Sequence, residues 1–192
     1  GGGGAIGGAM GGWSWAEYGG GGWVGRAGGR GLARIGHGCV LLARADAGQQ
    51  PLQLREFDLD EVISDCARIM RSLASRRGIS LTSDVSSEAA VRGDEDMVRR
   101  LILNLLDNAL KYGIEGGCVE IALRNEPGCF RVIVRDSGPG IPSETAAHIF
   151  DRFYRGDHSR ERDSAPHAQN SEDSDGVGAG LGLAIARWVA EA

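Results

Sequence analysis

Three polar side chains stand in register on one predicted helix. Asn104, Asn108 and Lys111 occupy positions i, i+4 and i+7 of a segment running from Asp94 to about Tyr112, so they share one face. An amide oxygen can coordinate Mg²⁺, and an ammonium can neutralise a phosphate. A solvated polar face is the ordinary alternative. A second set follows a predicted strand: Asp136-Ser137-Gly138-Pro139-Gly140. Asp136 continues the alternation of Phe130, Val132 and Val134, which predicts a half-buried carboxylate in need of a donor. The exocyclic amine of adenine is such a donor, and guanine presents an acceptor in its place. Gly138 and Gly140 let backbone approach a ring or phosphate. The third set, Gly178-Ala179-Gly180-Leu181-Gly182-Leu183, opens a helix, where free N–H groups bind phosphate oxygens. Each set alone is weak, since polar helix faces, D-x-G-x-G turns and glycine hinges are common.

The elements that must carry these residues read as follows. Val40 to Gly48 is the end of a helix with a glycine C-cap. Leu54 to Phe57 is extended. Asp58 or Asp60 caps a helix to about Arg77, with Val62, Ile63, Cys66, Ile69, Met70 and Leu73 as its apolar stripe. Ile79–Val85 and Ala89–Arg92 are short strands. The Asp94 helix has the stripe Val98, Leu101, Ile102, Leu105 and Ala109. Two strands flank a hairpin turn within Asn125 to Gly128. A short helix spans about Glu144 to Phe150, and Asp151 to Val177 is a long polar loop. A last helix starts at the glycines near Gly178. This order predicts a layered α/β sandwich.

Composition sets limits. The chain has 192 residues with a formal net charge of −5, 42% hydrophobic and 24% charged residues. That suits one globular domain with a small appendage, and argues against bulk electrostatic binding of nucleic acid. Of 32 glycines, 18 fall within Gly1 to Gly38, along with Trp13, Trp15 and Trp23. Such a stretch resists helix formation at about 1 kcal/mol per interior glycine. Residues 1–39 are therefore expected to be disordered or non-native, as when a GC-rich gene is read in the wrong frame. Cys39, Cys66, Cys118 and Cys129 have no CxxC spacing and are expected to be reduced and mostly buried. No apolar run is long enough to cross a bilayer, and the N-terminus lacks the pattern of a signal peptide.

Taken in order, the three sets resemble the N, G1 and G2 boxes of the ATP-binding catalytic domain of sensor histidine kinases. Ile149-Phe150-Asp151-Arg152-Phe153-Tyr154-Arg155 is similar to that family's F box, and Leu41 to Gly48 to the end of its dimerisation hairpin. The resemblance implies a two-layer α/β sandwich of the Bergerat type. It divides the chain into a glycine-rich segment (1–39), the end of the hairpin helix (40–50) and an ATP-binding domain (51–192) whose last strands are missing.

It also implies site roles. Asn108 ligates Mg²⁺, and Asn104 supports the phosphate end. Lys111 contacts phosphate, and Tyr112 packs near adenine or ribose. Asp136 accepts from the adenine amine, and Gly138 and Gly140 shape the base pocket. Gly178, Gly180, Leu181 and Gly182 stand at the triphosphate, and Arg155 is a candidate phosphate contact. The cofactors are ATP and Mg²⁺. The implied partners are a response-regulator receiver domain and, through the hairpin, a second copy, with no nucleic acid. The implied location is the cytoplasmic portion of a membrane-anchored bacterial sensor, soluble as a fragment.

The chain departs from the family in lacking an H-[DE]-x-R-T-P-like run. Its histidines are His37, His148, His158 and His167, and His37 has neither a predicted helix nor an acidic neighbour. The expectation is an ATP site without its acceptor, unable to phosphorylate itself. Hydrolytic relatives of the fold carry a glutamate where this chain has Asn104, and an amide cannot take a proton from water. Such an ATPase, an anti-sigma-factor serine kinase and a non-catalytic ATP-binding fragment are the alternatives.

Overall fold

The structure is a computed structural model that describes residues 27–85, 88–154 and 180–192. Ten elements follow in order: α1 (Ala27–Asp46), β1 (Arg55–Asp58), α2 (Leu59–Arg76), β2 (Ser80–Asp84), β3 (Ala90–Gly93), α3 (Glu95–Tyr112), β4 (Cys118–Glu126), β5 (Cys129–Asp136), α4 (Ser143–Ala146) and α5 (Gly182–Glu191). The architecture is a layered α/β arrangement with a mixed sheet. β2 pairs parallel to β4, with Ser80 opposite Cys118, and β4 pairs antiparallel to β5 around a turn at Pro127 and Gly128. β1 and β3 form a separate antiparallel ribbon.

Helices α2 and α3 cover the sheet. Val62, Ile63, Cys66, Ala67 and Met70 of α2 meet Ile102, Leu103, Leu106 and Leu110 of α3 and Val119, Ile121 and Leu123 of β4 in one core. The start of α3 is fixed by Asp94. One carboxylate oxygen accepts from Met97 N at 3.1 Å and caps the helix. The other accepts from Gln53 N at 2.9 Å and ties down the strand entry.

Four details differ from the sequence reading. The core side of α3 is Ile102, Leu103, Leu106, Ala109 and Leu110, whereas Leu101 and Leu105 are half-buried along α5. The helix is apolar over more than one stripe because it packs on both sides. Asp58 holds the N-cap position of α2 without a side-chain bond, while Asp60 accepts from Ala89 N at 2.9 Å and so serves the β3 entry. Helix α1 begins at Ala27, inside the stretch that composition reads as non-helical, and it includes His37. At Gly38 the helix is in close contact with Leu181 and Ile185, where packing outweighs the low propensity of glycine.

The fourth detail concerns the cysteines. Only Cys66 is buried, Cys118 and Cys129 are exposed, and all four are free thiols. Burial pushes the Cys66 thiol up to about 11. A thiol reagent at pH 8 is therefore expected to modify Cys118 and Cys129 quickly and Cys66 orders of magnitude more slowly, through opening of the fold. Mass spectrometry of the labelled chain over time reads the order, and early label on Cys66 would contradict this core.

Candidate functional site

Helix α3 is the spine of the site. Asn104, Asn108, Lys111 and Tyr112 are all half-buried. They sit at the margin between the buried side and water, where a polar group can meet a ligand without opening the core.

At the C-terminal end of α3 the loop after β5 comes in close. Asp136 ends β5 opposite Val119, which places it on the sheet face that carries the helices. Its Oδ1 accepts from Gly138 N at 2.8 Å, a local turn that Asp favours. A β-carbon at Gly138 would stand 2.7 Å from that oxygen and 2.9 Å from the Tyr112 carbonyl oxygen. The loop can reach the helix end only because residue 138 is glycine. Ser137 staples the loop to β4: its N–H donates to Cys118 O at 3.0 Å, and its Oγ accepts from Cys118 N at 2.8 Å. Gly140 has φ +76° with open space around it. Lys111 Nζ lies 5.5 Å from the Tyr112 ring centroid, within cation–π range. One expectation is corrected here. Asp136 is exposed rather than half-buried, because it is the last residue of its strand and the loop turns away beyond it.

Two turns earlier on α3, Asn104 faces the start of α5. A β-carbon at Gly182 would stand 3.7 Å from Asn104 Oδ1. The Asn104 Nδ2 atom is buried and has no hydrogen-bond partner among the described residues. A buried orphan donor is costly and marks a place where an acceptor is wanted. Gly180 adopts φ +69°, and a β-carbon on it would collide with the Tyr154 carbonyl oxygen at 2.7 Å. Its own carbonyl accepts from Phe153 N at 3.0 Å. Leu181 is buried beside Leu41, Leu42 and Ile185, so its side chain belongs to that apolar cluster. Arg155 and Gly178 lie outside the described residues.

The sequence sets thus converge on the two ends of one helix face, with Asp136–Gly138 at Tyr112 and Gly182 at Asn104. Among the described residues no enclosed cavity marks the place. A hollow of about 360 Å³ beneath the ends of α2 and α3 is lined by Arg76, Arg77, Lys111 and Glu115 and shares only Lys111 with the expected set. Another, of about 320 Å³, lies between α3, α5 and Phe150. The convergence of named residues carries more weight than these hollows, because both are open and neither gathers the three sets. Sequence assigned Ser137 no role of its own, and it named Phe153 only as part of the F-box run, without its left-handed backbone at φ 61°. The D-S-G spacing contained the Ser137 signal, but nothing local marks the left-handed conformation of Phe153.

Possible donors to a metal are limited. Among the described residues there is no group of three or more His, Cys, Asp or Glu side chains that could hold an ion. Asn108 offers one amide oxygen, so a cation here would draw most of its ligands from phosphate and water, as Mg²⁺ does. Among the described residues no helix is long and apolar enough to cross a membrane.

Residues 93–192 match the family described as histidine kinase-, DNA gyrase B- and HSP90-like ATPase. The sensor protein SphS of Synechococcus elongatus is 35% identical over 162 residues, 84% of this chain and 38% of that protein. The probable sensor protein PcoS of Escherichia coli is 34% identical over 84% of this chain and 32% of its own length. The chain therefore spans about a third of the length of these curated relatives. Among solved structures, full-length ShkA in complex with AMPPNP is 28% identical with a TM-score of 0.67, over 83% of this chain and 30% of that one. The mycobacterial sensor histidine kinase MprB is 32% identical with a TM-score of 0.52, over 70% of this chain and 76% of that one.

Proposed function

From the premise that the chain belongs to the histidine kinase-, DNA gyrase B- and HSP90-like ATPase family, we propose that it is the ATP-binding catalytic module of a two-component sensor histidine kinase. The observation that carries this reading is the shared face of α3, which meets Asp136–Gly138 at one end and Gly182 at the other. Eight residues at 1.5 Å each separate Asn104 from Tyr112, about 12 Å. That span suits a nucleotide with its base at the Asp136 end and its phosphates at the Gly182 end.

Asp136 accepts the adenine amine with the carboxylate oxygen that Gly138 leaves over, and Tyr112 lies alongside. Lys111 and the first-turn N–H groups of α5 meet phosphate oxygens. The orphan Asn104 Nδ2 gains an acceptor there. Asn108 would hold a Mg²⁺ through its amide oxygen, and the ion when bound would neutralise phosphate charge. Asn104 cannot serve as a base for water, which favours transfer of the γ-phosphate to a histidine over hydrolysis. That histidine belongs to an acceptor hairpin, of which α1 is the end. The product phosphohistidine serves a response regulator, and the hairpin pairs two copies in a bacterial membrane-anchored sensor. The sensor names of SphS and PcoS support this assignment.

Titration with a fluorescent ATP analogue, with and without Mg²⁺ and against GTP, tests the reading. The expected result is metal-dependent binding and a preference of at least about tenfold for ATP. Equal affinity without metal would remove Asn108 as a ligand, and equal affinity for GTP would remove Asp136 from the base pocket. Steady phosphate release without an acceptor would favour a hydrolytic relative.

A further inference from the structure

Helix α1 meets the rest of the chain at two places that belong to one short piece of structure. At its end, Asp46 Oδ1 accepts from Arg152 Nη2, across 106 positions of sequence. One to two turns earlier, Leu41 and Leu42 are buried against Leu181, Ala184 and Ile185. Gly38 comes so close that a β-carbon would stand 3.0 Å from Leu181 Cδ1 and 3.6 Å from Ile185 Cδ1. Arg152 immediately precedes Phe153, and Leu181 immediately follows Gly180. Phe153 and Gly180 are themselves joined by the backbone bond from Phe153 N to Gly180 O, at 3.0 Å.

That joint is not a relaxed one. Phe153 has φ 61° and Gly180 has φ +69°. A side chain in the left-handed region persists only where its surroundings hold it there. Phe153 is 59% exposed, so burial of its own ring does not do so. Beside the local bond from Tyr154 N to Asp151 O at 3.3 Å, the contacts that flank the joint are those of α1, with the Arg152 ion pair on one side and Leu181 packing on the other. We infer that α1 is a strap, which grips Arg152 and Leu181 together, keeps the Phe153–Gly180 bond closed and so fixes the first turn of α5. The inference does not depend on what binds at that turn. Hydrogen bonding from Arg152 holds the Asp46 carboxyl below the usual carboxylate range, which agrees with the geometry. The Arg152 cation also offsets an acid at the negative end of the α1 dipole.

Amide hydrogen exchange on the whole 192-residue chain tests the strap. Asp46→Arg should speed exchange at the Phe153 and Ile185 amides by about two- to fivefold, the range open to an exposed ion pair. Combining it with Arg152→Asp should restore the original rates. Gly38→Gln, which pushes α1 from α5 without touching a charge, should speed the same amides by about tenfold. Neither substitution weakens α1 itself, since a cation suits its last turn and Gln suits a helix better than Gly. Exchange at Leu106 and Ile121 should not change. Unaltered exchange at Phe153 in both single variants would overturn the inference. So would failure of the charge swap to restore, or equal acceleration at Ile121, which reports general loss of stability.

Discussion

The chain carrying Asp136→Asn is expected to bind ATP about 5- to 150-fold more weakly, which corresponds to roughly 1–3 kcal/mol for a lost partner in a site that reads an amine. The substitution isolates the base contact. The amide oxygen of the new side chain can still accept from Gly138 N, the bond that shapes the loop at 2.8 Å. What changes is the second oxygen, which becomes an NH₂ and faces the adenine amine donor to donor. Guanine presents an acceptor at that position, so the ratio of ATP to GTP affinity should narrow as well. Titration of both nucleotides, with circular dichroism to show an unaltered fold, gives the result. Undiminished ATP affinity would take Asp136 out of the site.

A larger effect is expected in the core. Leu106→Ala should cost about 2–5 kcal/mol of stability, because Leu106 is 0% exposed among α2, α3 and β4 residues and leaves a cavity when truncated. Against a typical total of about 5–15 kcal/mol, this is enough to lower the urea midpoint severely. Leu105→Ala, one position away, should cost under about 1.5 kcal/mol, since that side chain is half-buried beside an open hollow. Equilibrium urea unfolding of the two variants compares them. A greater loss for Leu105 would return the helix to the single stripe that its sequence suggests.

That pair of leucines shows where sequence reading reaches its limit. The segment Leu101-Ile102-Leu103-Asn104-Leu105-Leu106 is apolar almost all round, so periodicity cannot say which side meets the sheet and which meets α5. The polar positions were legible. Asn104, Asn108 and Lys111 interrupt an otherwise apolar helix, and their spacing places them together whichever way the core lies. The β4–β5 hairpin was legible for a similar reason, because Pro127-Gly128 and the alternation on both sides are local signals. The exposure of Asp136 was not, since alternation predicts which face a strand residue takes but not whether the strand stops there. The Asp46–Arg152 contact joins residues 106 apart and leaves no local trace. The helical state of Ala27 to Gly38 runs against its own composition, and periodicity gives no sign of the close approach of Gly38 to Leu181 and Ile185.

The parallel pairing of β2 with β4 has a consequence for how the molecule forms. Ser80 meets Cys118 and Asp84 meets Ala122, a constant offset of 38 residues. Between them the chain must complete β3 and the whole of α3. Contacts so distant in sequence repay their loop-closure entropy only when they close, which makes folding slow compared with a helical bundle. Helix α3 is both the crossover between these strands and the carrier of Asn104, Asn108 and Lys111. The proposed nucleotide face is therefore expected to be completed together with the sheet. A chain caught before that event exposes the unsealed edges of β2 and β4, with no assembled site through which ATP could draw it forward.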